Sequence, residues 1–223
     1  MSGRGASLLL LAKVPEKGRV KTRLEESFTQ DQALVIYEAM LRDVLHLAVR
    51  LQNQFSEVSV YWASSSAEML PEEFVAAHPT LAHFLQRGED LGTRMYHAME
   101  ESFLRGSKKV ILIGCDSPTL PASFLLQAAE ALDTASFVLG PSEDGGYYLI
   151  GASSLVREAF EGIPWGSSDV LSRSLEVLNG LGLTTELLPV WYDIDRPEDL
   201  ARLTVQDGDR ARNLVQVLRE IRG

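Results

Sequence analysis

Lys109–Leu132 reads KVILIGCDSPTLPASFLLQAAEAL, and its three parts decide the fold. KVILIG is a continuous apolar, β-branched run, the pattern of a strand buried on both faces of a sheet. CDSPTLP breaks it with polar residues and two prolines, and Ala122–Leu132 then carries apolar residues at helical spacing. Strand, polar break and returning helix form the repeating unit of a parallel α/β sheet.

The unit recurs on both sides. Ser7–Ala12 (SLLLLA) predicts a buried strand, Lys13–Arg23 a loop with Pro15 and Gly18, and Gln30–Leu51 a helix. Ala33, Ile36, Tyr37, Met40, Leu41, Val44, Leu47 and Ala48 share one side of that helix. Val58–Ala63 and the short Leu81–Leu85 predict strands, and Leu91–Leu104 a helix with Met95, Ala98, Met99 and Leu104 inward. Downstream, Phe137–Leu139 and Tyr147–Ile150 flank SEDGG as a local antiparallel pair. Ser168–Leu178 predicts a helix, Thr185–Leu188 a strand, and Glu198–Leu203 and Ala211–Ile221 helices. The expected fold is a single three-layer α/β/α domain over residues 1–223, with a mixed, mainly parallel central sheet.

The 223 residues are 45% hydrophobic and 23% charged, enough for a sizeable core and unlike a disordered or disulfide-built chain. A net charge of −10 argues against a nucleic-acid-binding face. The charge is uneven: residues 1–24 hold six cations and one acid, a net +5, which leaves −15 for residues 25–223. Cys115 is the sole cysteine, so no internal disulfide is expected, in keeping with a reducing, cytoplasmic setting. The apolar run Leu8–Ala12 is too short for a signal segment, and no membrane insertion is expected.

In open α/β sheets, ligands sit beyond the carboxyl ends of the strands. The loop after the first strand carries Lys17, Arg19, Lys21 and Arg23 around Gly18, a composition suited to phosphate. It lacks the spacing of a Walker A or dinucleotide fingerprint, and a merely solvated loop is the competing account. Asp116, just past KVILIG, suits Mg²⁺ or Mn²⁺ held jointly with phosphate oxygens; capping of the next helix by Asp116 or Ser117 is the alternative. In the DGG turn, Asp144 is placed to bind an acceptor hydroxyl or act as a base, although a plain hairpin accounts for Gly145 and Gly146. In the last motif, YDIDRPEDL, Asp193 and Asp195 share one side of an extended segment. Asp193 is the candidate second metal ligand, and Asp195 is expected to cap the following helix with Glu198. Cys115 reads as a packing residue, and His46, His78, His83 and His97 have no metal-ligand spacing.

AKVPEKGRVKTRL, QRGEDLGTRM, GCDSPTLP, GPSEDGGYYLIG and DIDRPEDL, in this order, resemble a bacterial family of glycosyltransferase-like proteins. That family is described as radical-SAM/selenodomain-associated transferases or arsenosugar-biosynthesis glycosyltransferases. It is similar to the GT-A nucleotide-diphospho-sugar transferases, to phospholactate guanylyltransferases and to molybdenum-cofactor nucleotidyltransferases. The resemblance runs from about Leu8 to Leu203. It implies a nucleotide-binding half over about 7–120, an acceptor-binding half over about 121–205, and a C-terminal helix over 206–223. Lys13, Gly18, Lys21, Thr22, Arg23, Gly92 and Arg94 would bind nucleotide, and Asp144, Gly145, Gly146 and Tyr147 would face the acceptor. Asp116, Asp144 and Lys21 would be catalytic, with metal at Asp116 and Asp193. Arg196 stands where the family pattern has Thr, which would place a cation near the metal.

The leading expectation is metal-dependent transfer of a sugar from a nucleoside diphosphate sugar to a small-molecule acceptor. Nucleotidyl transfer from an NTP to a phosphate-bearing acceptor is the second reading, and a non-catalytic nucleotide-binding module the third.

Overall fold

The computed structural model describes residues 5–64, 69–203 and 205–222. Seven strands form one sheet: β1 Ala6–Lys13, β2 Glu57–Ala63, β3 Ala82–Leu85, β4 Lys109–Ile113, β5 Phe137–Pro141, β6 Tyr147–Ala152 and β7 Thr185–Leu187. Their order is β3-β2-β1-β4-β6-β5-β7. Only β6 runs antiparallel, wedged between β4 and β5, so the DGG hairpin is the single reversal in a parallel sheet.

The helices are α1 Gln30–Leu51, α2 Glu72–Ala77, α3 Leu91–Leu104, α4 Ala122–Ala131, α5 Val170–Gly180, α6 Pro197–Leu200 and α7 Arg212–Arg222. The alternation of side chains along β1 builds the three layers. Leu8 and Leu10 face one core with Leu41 and Val44 of α1 and Leu125 and Ala128 of α4. Leu9 and Leu11 face the other, with Met95 and Met99 of α3 and Leu178 of α5.

A third cluster lies outside the sheet, where Ile36 and Met40 of α1 pack on Leu214 and Leu218 of α7 and on Ile194. This explains why α1 is buried beyond a single stripe. It also explains a buried acid: Asp43 accepts bonds from the backbone N–H groups of Asn213 (3.0 Å) and Leu214 (2.9 Å), and so caps α7 from a neighbouring helix. At its own start α1 carries a capping box, with Thr29 and Gln32 exchanging side-chain-to-backbone bonds.

The structure departs from expectation at several points. Leu104 is 83% exposed rather than inward; the α3 face that meets the sheet continues from Met95, Ala98 and Met99 to Ser102, at i+3 and i+4 steps. The short α2 carries only Phe74 as a buried residue, too weak a pattern to signal a helix. The helix expected from Ser168 begins at Val170, and α6 ends at Leu200 rather than Leu203. At the C-terminus a 3₁₀ turn, Val205–Asp209, precedes α7.

Candidate active site

A cavity of about 620 Å³ opens beyond the carboxyl ends of β1 and β4, where an α/β sheet is expected to hold its ligand. The basic loop, the Asp116 break, the DGG turn and the 193–195 segment all reach it.

Lys21 is its most constrained residue. It has φ 47° and ψ 40°, the left-handed region, and is the sole non-glycine with positive φ among the described residues. Holding a Cβ-bearing residue there costs about 1–3 kcal/mol, a strain that clusters at functional sites. The twist turns the side chain inward, to 3% exposure. Its ammonium donates to the Ile194 carbonyl, pairs with Asp116 and lies 3.7 Å from Asp195. Arg23 also pairs with Asp195.

Desolvation by the cavity walls works to raise the Asp116 carboxyl, but the Lys21 charge and hydrogen bond outweigh it, with help from Lys13, and hold it below its ordinary value. Asp116 and Ser117 cap no helix: α4 starts at Ala122 behind Pro121. Lys13 and Arg94 also line the cavity, and the Arg94 Nε is fixed on the Gly88 carbonyl at 2.9 Å. Lys17 instead pairs with Asp31 at 2.7 Å, and Gly18, Arg19 and Thr22 stand outside the lining.

Asp193 and Asp195 both line the cavity, with Ile194 between them pinned in the outer core at 0% exposure. This is the period-two geometry of extended backbone. The expected capping by Asp195 and Glu198 is not what is seen. Asp199 accepts from the backbone N–H groups of Asp195 (3.0 Å) and Arg196 (2.8 Å), which leaves the Asp195 carboxylate for Lys21 and Arg23. Arg196 reaches away to Glu26, at 3.3 Å, and brings no cation to the site.

Asp116 and Asp193 sit on adjacent backbone segments, joined by the Ile194 N–H to Asp116 carbonyl bond (2.8 Å) and by the Ser117 hydroxyl donating to Asp193. The Asp193 carboxyl is pushed up to about 6. Burial is the main cause; the Ser117 bond opposes it, and the Asp116 and Asp144 charges add to it. Among the described residues no three His, Cys, Asp or Glu side chains form a complete metal cage. Two crowded carboxylates do fit a hard divalent ion that takes its other ligands from phosphate and water.

Asp144 also lines the cavity, close enough for its charge to act on Asp193, and its Oδ1 accepts from the Ser142 hydroxyl and the Gly146 N–H (3.0 Å). Gly146 and Tyr147 line the cavity as well. Gly145 does not: at φ 89° it packs so closely on the Ser168 carbonyl that a Cβ would overlap it. Gly92 also stands outside the lining and is closely packed. A Cβ there would lie 2.5 Å from the Trp165 Nε1 and 2.8 Å from the Phe160 carbonyl.

Tyr37, Gln86 and Trp165–Ser168 also line the cavity, although none is among the residues expected from the sequence to form the site. Gln86 follows β3 and donates to the carbonyls of Ala12 (3.1 Å) and Tyr61 (2.8 Å), so the strand-end rule would have found it. Tyr37 bridges Lys13 through both its N–H (3.0 Å) and its carbonyl (2.9 Å). Cys115 is buried with its thiol pushed far up by desolvation, as befits packing. Among the described residues no helix is long and apolar enough to cross a membrane.

Comparison with solved structures follows this geometry. A protein from Desulfovibrio desulfuricans G20, put forward as a nucleotide-diphospho-sugar transferase, is 32% identical with a TM-score of 0.81, over 96% of this chain and 97% of that one. A cytidylyltransferase from Leptospira borgpetersenii is 14% identical with a TM-score of 0.59, over 97% and 94% of the two chains. A CMP-2-keto-3-deoxy-manno-octonic acid synthetase solved with CTP is 15% identical with a TM-score of 0.53, over 88% and 95%. The fold is that of the nucleotide-diphospho-sugar transferases. No curated protein matches the sequence. The family model for uncharacterized proteins conserved in bacteria, DUF2064, matches residues 45–167, more than half of the chain. By that match the chain belongs to the DUF2064 family.

Proposed function

We propose that the chain is a transferase using a nucleotide-activated donor, and that it moves a sugar from a nucleoside diphosphate sugar to a hydroxyl of a small-molecule acceptor. One observation carries this reading: Lys13, Lys21, Arg23 and Arg94 converge with Asp116 and Asp193 on one cavity at the strand ends. Cations there match a diphosphate, and the carboxylate pair matches a divalent ion bridging to it. The nucleotide side spans the basic loop and the 86–95 segment, and the acceptor side the 142–150 and 165–170 segments.

In this reading Lys21 and Arg23 bind the diphosphate and stabilise the charge that develops as it departs. The bond from the anomeric carbon to the diphosphate oxygen breaks and its electron pair leaves with the nucleoside diphosphate. The acceptor oxygen bonds to that carbon, and its proton passes to the Asp144 carboxylate. Mg²⁺ or Mn²⁺ at Asp116 and Asp193 would add Lewis-acid stabilisation of the leaving diphosphate.

The Desulfovibrio relative, put forward as a nucleotide-diphospho-sugar transferase, supports a donor that carries a nucleotide. Nucleotidyl transfer is the second reading, favoured by Lys21-Thr22-Arg23-Leu24, which resembles the guanylyltransferase loop. Product identity tests the two. Purified protein with Mn²⁺ and a set of nucleotide sugars and NTPs should release nucleoside diphosphate; pyrophosphate release from an NTP would replace the glycosyl reading with the nucleotidyl one.

A further inference from the structure

The Lys21 ammonium stands among oxygens. It pairs with Asp116, donates to the Ile194 carbonyl and lies 3.7 Å from the Asp195 Oδ1. Carboxylate and carbonyl oxygens are also what a hard divalent ion takes as ligands. Asp116 is the carboxylate proposed for that ion, so Lys21 stands on the ion's own ligand. Its backbone leaves the side chain free to depart. The left-handed turn at Lys21 is anchored by the Leu24 N–H, which donates to the Lys21 carbonyl at 2.9 Å, and by the fully buried Leu24 side chain. The four-carbon stem alone has to turn for the ammonium to leave Asp116.

The charge of the cavity gives a second, independent reason. Its lining holds four cations, Lys13, Lys21, Arg23 and Arg94, against four carboxylates, Asp116, Asp144, Asp193 and Asp195. A divalent ion alone would leave this balance positive, and a nucleoside diphosphate alone would leave it negative. Together the two come close to cancelling. The ion therefore meets Lys21 as a like charge unless a diphosphate arrives with it.

We infer that Lys21 and the divalent ion are alternative cations for Asp116: Lys21 holds the carboxylate until a diphosphate draws the ammonium onto its own oxygens, and Asp116 is then free to ligate the ion. The inference rests on the transferase reading and gives it an order, in which the ion enters with or after the nucleotide. Lys21 thus acts with opposite signs on the two ligands. It favours the diphosphate and resists an ion that comes alone. Linkage makes the coupling reciprocal: the factor by which nucleotide strengthens ion binding is the factor by which the ion strengthens nucleotide binding.

The test is the binding of Mn²⁺ alone, read from the paramagnetic resonance of the free ion, to full-length wild type, Lys21→Met and Lys21→Gly. Glycine adopts the left-handed conformation without strain, so Lys21→Gly removes the ammonium and still suits the turn. Both variants should bind Mn²⁺ about tenfold more tightly than the wild type. Both should bind nucleoside diphosphate more weakly, with ADP, CDP, GDP and UDP each tried. Arg94→Met removes a lining cation held on the Gly88 carbonyl rather than on Asp116, and should leave Mn²⁺ affinity within about twofold of wild type. Mn²⁺ affinity no higher in the Lys21 variants than in the wild type, or raised as much by Arg94→Met, overturns the exchange and leaves the transferase reading standing. A wild type that binds none of the four diphosphates in the presence of Mn²⁺ overturns the transferase reading itself, whatever Mn²⁺ does alone.

Discussion

Replacing Lys21 with Met removes the ammonium and keeps the bulk. Asp116 and Asp195 are 57% and 40% exposed at the side chain, so water can reclaim them. The full penalty of stranding a buried charge, about 3–5 kcal/mol, therefore does not apply. What is lost is the charge-assisted bond to the Ile194 carbonyl and the neutralisation of two neighbouring carboxylates. A net loss of about 1–3 kcal/mol is expected, which in a chain of this size lowers Tm by roughly 2–12 °C. Nucleotide binding should suffer more distinctly, since a Lys–phosphate contact of about 1.5–3 kcal/mol corresponds to roughly 10–150-fold in Kd. The acid limb changes too. In the wild type, Asp116 is held below its ordinary value, so its stabilising contribution is present above about pH 4 and lost as pH falls through the lowered folded-state value. Lys21→Met should remove that limb. Calorimetric titration of nucleoside diphosphate, with unfolding curves from pH 2 to 8, reads both effects. Nucleotide affinity within about twofold of wild type would refute the role given to Lys21.

Gly92→Ala forces a methyl group against the Trp165 ring and the Phe160 carbonyl, and should cost about 1–3 kcal/mol in urea unfolding; a neutral result would mean that Trp165 does not depend on the notch. Asp193, pushed up to about 6 from 3.8, binds its proton more tightly when folded. Its contribution is present below about pH 4 and lost as pH rises through 6, so Asp193→Asn should stabilise the metal-free protein by roughly 1–3 kcal/mol at pH 8 and have little effect at pH 4. The same gain at both pH values would remove burial of the charge as its cause. Asp43→Ala leaves the Asn213 and Leu214 N–H groups uncapped and should destabilise by about 1–2 kcal/mol, with hydrogen exchange rising first in α7.

The layers were legible because Leu8–Leu11 alternate faces and the long helices keep their period: the bounds of α1 and α3 follow the sequence pattern to the residue. The short α2, with Phe74 as its one buried residue, carries no such signal. At the site, strand-end position located Lys21, Asp116 and Asp193. It could not locate Trp165–Ser168, which reaches the cavity through contacts with Gly92 and Gly145, distant in sequence. Those two glycines stand outside the cavity lining and make room for Trp165 and Ser168. The spacing of Asp195 to Glu198 fits a cap; Asp199, one residue further on, takes the two N–H groups instead. Local spacing permits both choices, and the charge of Lys21 and Arg23, arriving from the other end of the chain, favours the one seen.

Central to the proposed chemistry is Asp116, which would link nucleotide to metal in this cavity. Calorimetric titration of nucleoside diphosphates with and without Mn²⁺, into wild type and Asp116→Ala, tests that link most directly. Mn²⁺ should strengthen nucleotide binding to the wild type and make no difference in the variant, whose unfolding remains cooperative. An equal Mn²⁺ effect in both proteins, or no nucleotide binding to the wild type, would contradict it.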